Sequence, residues 1–153
     1  MPRFMLFLHT DPDNEAGNLP SHELFEQMHA FNTEMKAAGV MLAAEGLHAS
    51  SKGARVTFPP ADPADPNKLG PREDIKVTPG PFALDNDHKI VCGFWIIKTK
   101  NLEEAVEWAK RAPVATSLEV RQVQELEDLG DLVPDHVKKE EGQWKAESEG
   151  KRA

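Results

Sequence analysis

The sequence predicts an α+β domain built from one antiparallel sheet with two helices on one of its faces. Three observations predict it. Two segments carry apolar residues at helical spacing, each behind a residue suited to cap a helix. Short apolar runs with strand character precede, separate and follow those segments. The first run, Phe4 to His9, and the longest, Ile90 to Lys98, are apolar at both alternating sets of positions.

The elements follow in order. Phe4, Leu6 and Leu8 share one face of the first strand, and Met5, Phe7 and His9 the other. Asp11 to Pro20 reads as a loop rich in turn formers. Ser21 is placed to cap a helix carrying Leu24, Met28, Phe31 and Met35, with Gly39 as its stop. Val40 to Leu47 reads as a second strand, Ser50 to Gly53 as a turn, and Ala54 to Phe58 as a third strand. Residues 59–72 hold five prolines and can be neither regular strand nor helix, so they read as an exposed excursion. Ile75 to Thr78 resumes pairing, and the turn Thr78-Pro79-Gly80-Pro81-Phe82 follows. Ile90 to Lys98 is the central strand. Asn101 caps a helix from Leu102 to Ala112, ended by Pro113, whose buried stripe is Leu102, Ala105, Val106 and Ala109. Leu118 to Val123 closes the set, with Glu119, Arg121 and Val123 on one face. This order is the split βαβ pattern of a ferredoxin-like domain.

Two helices cover only one face of such a sheet, and a second face meeting water would be polar. Here it is apolar, which predicts a second subunit against it: a homodimer with facing sheets. The domain is expected over residues 1–128, with a proline-rich insertion at 59–74. Residues 129–153 form a polar extension, partly helical around Val137 and Trp144 and disordered at its end.

The net charge of −8 leaves no basic face, which argues against nucleic acid as a partner. No apolar run approaches the roughly 20 residues of a membrane span. The lone Cys92 lies in an apolar run and reads as a small buried hydrophobe in a reducing compartment. Met1-Pro2-Arg3 leads straight into strand-like sequence without a cleavage site, and is read as the start of a mature cytoplasmic protein.

No nucleophile motif, phosphate loop or metal spacing stands out, so no metal or cofactor is predicted. Candidate chemistry rests on scattered side chains. Glu119 and Arg121 are two apart on a strand and share a face, where they either pair or let Arg121 hold an anionic group. Glu45, beside Gly46, is a carboxylate that burial would make a base. His9 and His48 end the first and second strands, where an imidazole can pass a proton near neutral pH. Trp95 and Phe82 are candidates for an apolar pocket wall, with core packing as the other reading.

The chain also resembles the YCII-related, or DGPF-domain, family. The matching residues are Asn14-Glu15-Ala16-Gly17, Phe31-Asn32-Thr33-Glu34, Ala44-Glu45-Gly46-Leu47-His48, Ser50 to Val56, Gly80-Pro81-Phe82-Ala83, Gly93-Phe94-Trp95, Glu103 to Lys110, and Glu119 to Val123. The family signature is Asp-Gly-Pro-Phe, and Pro79 stands where its aspartate belongs. Pro79 removes any acid–base role of that group. The resemblance implies a ferredoxin-like subunit of a dimeric α/β barrel with a ligand cavity between helix and sheet or inside the barrel. It names no substrate. The expectation is a cytoplasmic homodimer that binds a small organic molecule and acts as a cofactor-free isomerase or lyase. His9 and Glu45 would be the catalytic groups, and Arg121, Glu119, His48, Phe82 and Trp95 the substrate-binding ones. The alternatives are a non-enzymatic ligand-binding or regulatory dimer, and a cofactor-free monooxygenase-like activity.

Overall fold

Alternation and capping translate into structure with few departures. The computed structural model describes residues 1–85 and 88–151. Two compact units are present, Met1–Gln122 and Val123–Ala153. The first contains strands β1 (Arg3–His9), β2 (Met41–Gly46), β3 (Ala54–Thr57), β4 (Lys76–Pro79), β5 (Val91–Lys98) and β6 (Leu118–Gln122). Its helices are α1 (Pro12–Glu15), α2 (His22–Ala37) and α3 (Leu102–Ala109). Among the described residues, no helix is long and apolar enough to cross a membrane.

The main sheet has the order β2-β5-β1-β6 and is antiparallel throughout. β5 and β1 are its central strands, as the two apolar runs predict. Phe4, Leu6, Trp95 and Ile97 project to the helix side and pack with Phe31 and Met35 of α2 and Ala105 of α3. Phe4, Leu6, Met35 and Ile97 are fully buried. Trp95 meets Phe31 edge to face at 5.7 Å, and its indole Nε1 donates to Asn32 Oδ1 at 2.8 Å. A buried indole N–H needs such an acceptor, which gives Asn32 its place on an otherwise apolar helix face.

The caps form where expected. Ser21 Oγ accepts from Leu24 N, and Asn101 Oδ1 accepts from Glu104 N. Gly39, at φ +68, ends α2 in the left-handed region that glycine enters freely. Helical bonding in α3 ends at Ala109, before the expected Ala112, and a turn carries the chain on to Pro113. The expected loop at Asp11 to Pro20 contains the one-turn helix α1. Asp11 Oδ1 accepts from Asn14 N at 2.8 Å, and Pro12 starts the turn with its φ already set.

The opposite face of the sheet is read from the register. One cross-strand row runs Glu45, Phe94, Phe7, Glu119, and the next runs Ala43, Ile96, Met5, Arg121. Four strands are too few to close on themselves, since closed barrels of this size use about eight. The sheet of one chain is therefore open at β2 and β6, and the barrel implied by the resemblance is not formed within a single subunit.

β3 pairs with β4 and lies outside the main sheet, as a separate hairpin. Ala54 faces Pro79 at one end and Thr57 faces Lys76 at the other. The proline-rich excursion leaves from the Thr57 end, away from the Gly80 turn. It is organised locally, with Asp62 and Asp65 accepting from Ala64 N and Asn67 N. At the near end, Gly80 N donates to Gly53 O at 2.9 Å. A Cβ on Gly80 would lie 1.7 Å from Ser50 O.

The second unit begins with a 3-10 segment, Leu126–Leu132, whose Glu125 and Asp128 cap each other's backbone. Helix α4 (Asp135–Gly150) follows, and Lys145 pairs with Glu125 at 2.6 Å. Disorder is expected after about Ala146, whereas α4 runs on to Gly150; Arg152 and Ala153 lie outside the described residues.

The contact at Gly80 is tested by substitution. Gly80→Ala is expected to cost about 3 kcal/mol or more in urea denaturation, because backbone at Ser50 must move. Gly46→Ala, with open space around its Cβ, is expected to change stability by less than about 0.5 kcal/mol.

Candidate functional site

The C-terminal end of β1 opens into a cleft of about 670 Å³. Leu8, His9 and Cys92 line it from the sheet, Leu24, Phe25 and Met28 from the first turns of α2, and Pro113 to Thr116 from the connection between α3 and β6. Asp11, Asp13 and Asn18 line it from the segment around α1. The split βαβ topology creates the site. β1 ends where its crossover to α2 begins, and the returning connection before β6 passes beside it. Leu19 and Phe25 are 87 % and 56 % exposed, leaving apolar surface in water at the lining.

His9 is held firmly, with a side chain 11 % exposed. Its backbone N–H donates to Ser117 O at 3.1 Å, and Thr116 Oγ1 donates to its carbonyl at 2.7 Å. Ring Nδ1 lies 2.9 Å from Ser117 Oγ, and Lys89 Nζ donates to the same hydroxyl at 3.1 Å. An ammonium can only donate, so the hydroxyl proton is free to point at Nδ1. In the neutral ring the proton then sits on Nε2, which faces Glu119 Oε2 at 4.0 Å. Arg121 pairs with the other oxygen of Glu119 at 3.0 Å. Lys89, Ser117, His9, Glu119 and Arg121 thus form one chain of polar contacts beside the β1–β6 pair.

The remaining candidates stand elsewhere. Glu45 is exposed on edge strand β2, with β5 and β1 between it and Glu119. Three strand spacings place those two carboxylates about 14 Å apart. His48 is exposed beyond β2. Neither lines the cleft. Trp95 lies in the core beneath α2. Phe82 is half-buried against the Arg55 guanidinium, 4.1 Å from the ring centroid. Of the predicted set, His9, Glu119 and Arg121 come together.

A second polar knot joins segments distant in sequence. Glu15 Oε1 accepts from Ser50 N at 2.9 Å and from Ser50 Oγ, and Phe82 N donates to Ser50 Oγ at 2.7 Å. Ser50 is 7 % exposed. This clasp ties α1, part of the cleft wall, to the turn after β2 and to the Gly80-Pro81-Phe82 turn. Sequence reading recognised the three turns but had no signal that one serine would join them.

The YCII-related domain matches residues 3–127. The chain belongs to the YCII-related domain family. No curated protein matches it. In this YCII-related domain the clasp joins three separate segments. Glu15 and Ser50 are its two ends, Gly80 is the position where no Cβ fits, and Phe82 supplies an N–H. Pro79, where the resemblance implies an aspartate, is exposed at the end of β4 and outside the cleft lining. Among the described residues, no group of three or more His, Cys, Asp or Glu side chains is placed to hold a metal ion.

Cys92 lies on the cleft wall. Burial pushes its thiol above the ordinary range, a hydrogen bond with Thr10 partly offsets this, and the charges of Asp11 and Glu15 raise it further. A thiol with a raised pKa carries less thiolate at a given pH and alkylates more slowly. The iodoacetamide rate–pH profile of the folded protein is therefore expected to have its midpoint above that of the denatured chain. Asp11→Asn, which keeps the cap, is expected to move it down. A midpoint at or below the denatured value contradicts the placement of Cys92.

Proposed function

We propose that this YCII-related protein binds a small, mainly apolar organic molecule in the cleft at the end of β1, and moves a proton on it without a cofactor, as an isomerase or lyase does. One observation carries the reading: a 670 Å³ cleft with apolar walls is lined by a histidine that its surroundings hold in one orientation. Volumes of roughly 300–1,000 Å³ with apolar walls and a few placed polar groups are typical of small-molecule sites. His9 is the proton carrier in this proposal. Ser117 and Lys89 set its tautomer, and Glu119 stabilises the imidazolium when the ring takes a proton. Glu45, outside the lining, has no part in it. No residue of the proline-rich excursion lines the cleft, which favours ligand binding over a plugged, purely structural site.

A binding role without catalysis is favoured by one feature. His9 is nearly covered, and Nδ1 is already engaged. A thermal-shift screen of small metabolites finds the ligand, because a molecule that binds only the folded state stabilises it. Deuterium incorporation at carbon in the bound molecule then separates the readings. With catalysis, exchange is expected in the wild type and should fall by about 100-fold or more in His9→Gln, while the thermal shift persists. Binding with no exchange in the wild type establishes the non-enzymatic role.

The functional form in this proposal is a homodimer. Met5, Phe7, Phe94 and Ile96 give the open sheet face a central apolar patch on the side away from α2 and α3. Sedimentation velocity is expected to give a dimer for the wild type and a folded monomer for Phe94→Glu. A monomeric wild type at micromolar concentration removes this part of the proposal.

A further inference from the structure

The charges around the cleft are of one sign. Among the described residues, Asp11 and Asp13 line it, no lysine or arginine does, and His9 is the one basic residue in the lining. Each aspartate commits one oxygen locally: Asp11 Oδ1 accepts from Asn14 N at 2.8 Å, and Asp13 Oδ1 accepts from Asn18 Nδ2 at 3.5 Å. Among the described residues, the second oxygen of each makes no hydrogen bond or ion pair. Both residues are exposed, so these oxygens lie at the solvent side of a site whose inner wall is apolar: Leu8, Leu24 and Met28.

One feature runs the other way. The N-terminus of α2 also borders the cleft, and helix N-termini favour anions. Here that end is already satisfied. Ser21 Oγ takes the Leu24 N–H, and Glu23 places a carboxylate in the first turn. The cationic groups nearest the site are turned to other partners, Lys89 to Ser117 and Arg121 to Glu119. The expected anchoring of an anion by Arg121 therefore has no counterpart in the cleft.

We propose that the cleft selects a primary or secondary amine with an apolar body, its ammonium group received by Asp11 and Asp13 and its hydrocarbon part packed on Leu24, Phe25 and Met28. This specifies the ligand class for the cleft binding proposed above and rests on that reading. The two aspartates give the mouth of the cleft a negative potential. A cationic ligand is drawn to that potential and a carboxylate is repelled. The long-range field agrees in sign, the chain carrying a net charge of −8.

The test uses one scaffold in three charge forms on the full chain: 4-phenylbutylamine, 4-phenylbutanol and 4-phenylbutyrate, followed by thermal shift and titration calorimetry. The amine is expected to bind about five- to tenfold tighter than the alcohol, the range that two exposed ion pairs supply. The carboxylate is expected to bind more weakly than the alcohol, and added salt to narrow both gaps. The double substitution Asp11→Asn with Asp13→Asn keeps the cap at α1. It is expected to bring the amine down to the affinity of the alcohol without changing the alcohol. Equal or tighter binding of the carboxylate, or an amine preference that survives the double substitution, overturns the ligand class and leaves the cleft itself standing as a binding site. Failure of all three probes to bind overturns both the class and the apolar binding site beneath it.

Discussion

Burial of Phe4 and Leu6 of β1 beside Trp95 and Ile97 of β5 sets the register of the two central strands, and the strand-end geometry follows from that register. A slip of one residue would exchange the two faces of β1. It would turn Met5 and Phe7 under the helices and carry His9 away from Ser117. The register is well specified because the helix-side residues are fully buried while their neighbours on the open face are only half-buried. Asn32 adds specificity to this packing. Its carbonyl takes the one buried N–H that an all-apolar partner helix would leave unpaired.

A second constraint acts through Ser50. One hydroxyl and one N–H meet the Glu15 carboxylate, and the same hydroxyl receives the Phe82 N–H. The clasp joins a one-turn helix, a 3-10 turn and a loop, each too short to hold itself in place. It gives the cleft wall at α1 a rigid footing and gives the Gly80-Pro81-Phe82 turn a structural task. Pro79, where the resemblance implies an aspartate, therefore leaves the clasp intact. Pro79 sits at the solvent-exposed end of the β3–β4 hairpin, while the turn behind it keeps each contact that depends on Gly80 and Phe82.

Electrostatics divides the strand-end region in two. Beside the β1–β6 pair, the charged groups are engaged, Lys89 by Ser117 and Arg121 by Glu119, with His9 between them. Across the cleft the sign is single, because among the described residues Asp11 and Asp13 share a lining without lysine or arginine. His9 belongs to both regions. Its ring is oriented by the first and its residue lines the second. That position gives a lone histidine a role that its sequence neighbours alone do not suggest.

The fold was legible because local chemistry and periodicity agreed. Alternation marked β1 and β5, Ser21 and Asn101 marked the helix starts, Gly39 marked a stop, and the order of elements specified the sheet. One local reading gave way: the segment at Asp11 hid a helical turn too short to show periodicity. The site was legible only in part. His9, Glu119 and Arg121 come together because neighbouring antiparallel strands place them on one edge, a relation that alternation foreshadows. Ser50 with Glu15, Ser117 with His9 and Lys89, and the acidic lining of the cleft were not legible. Each joins residues 28 or more positions apart through loops or arises from several segments meeting around a void. The amino-acid order by itself determined which elements form, where they stop and which faces they bury, since those depend on side chains a few positions apart. Only the tertiary structure decided which polar groups meet and what sign of charge the cleft presents, since those depend on distances that nothing local sets.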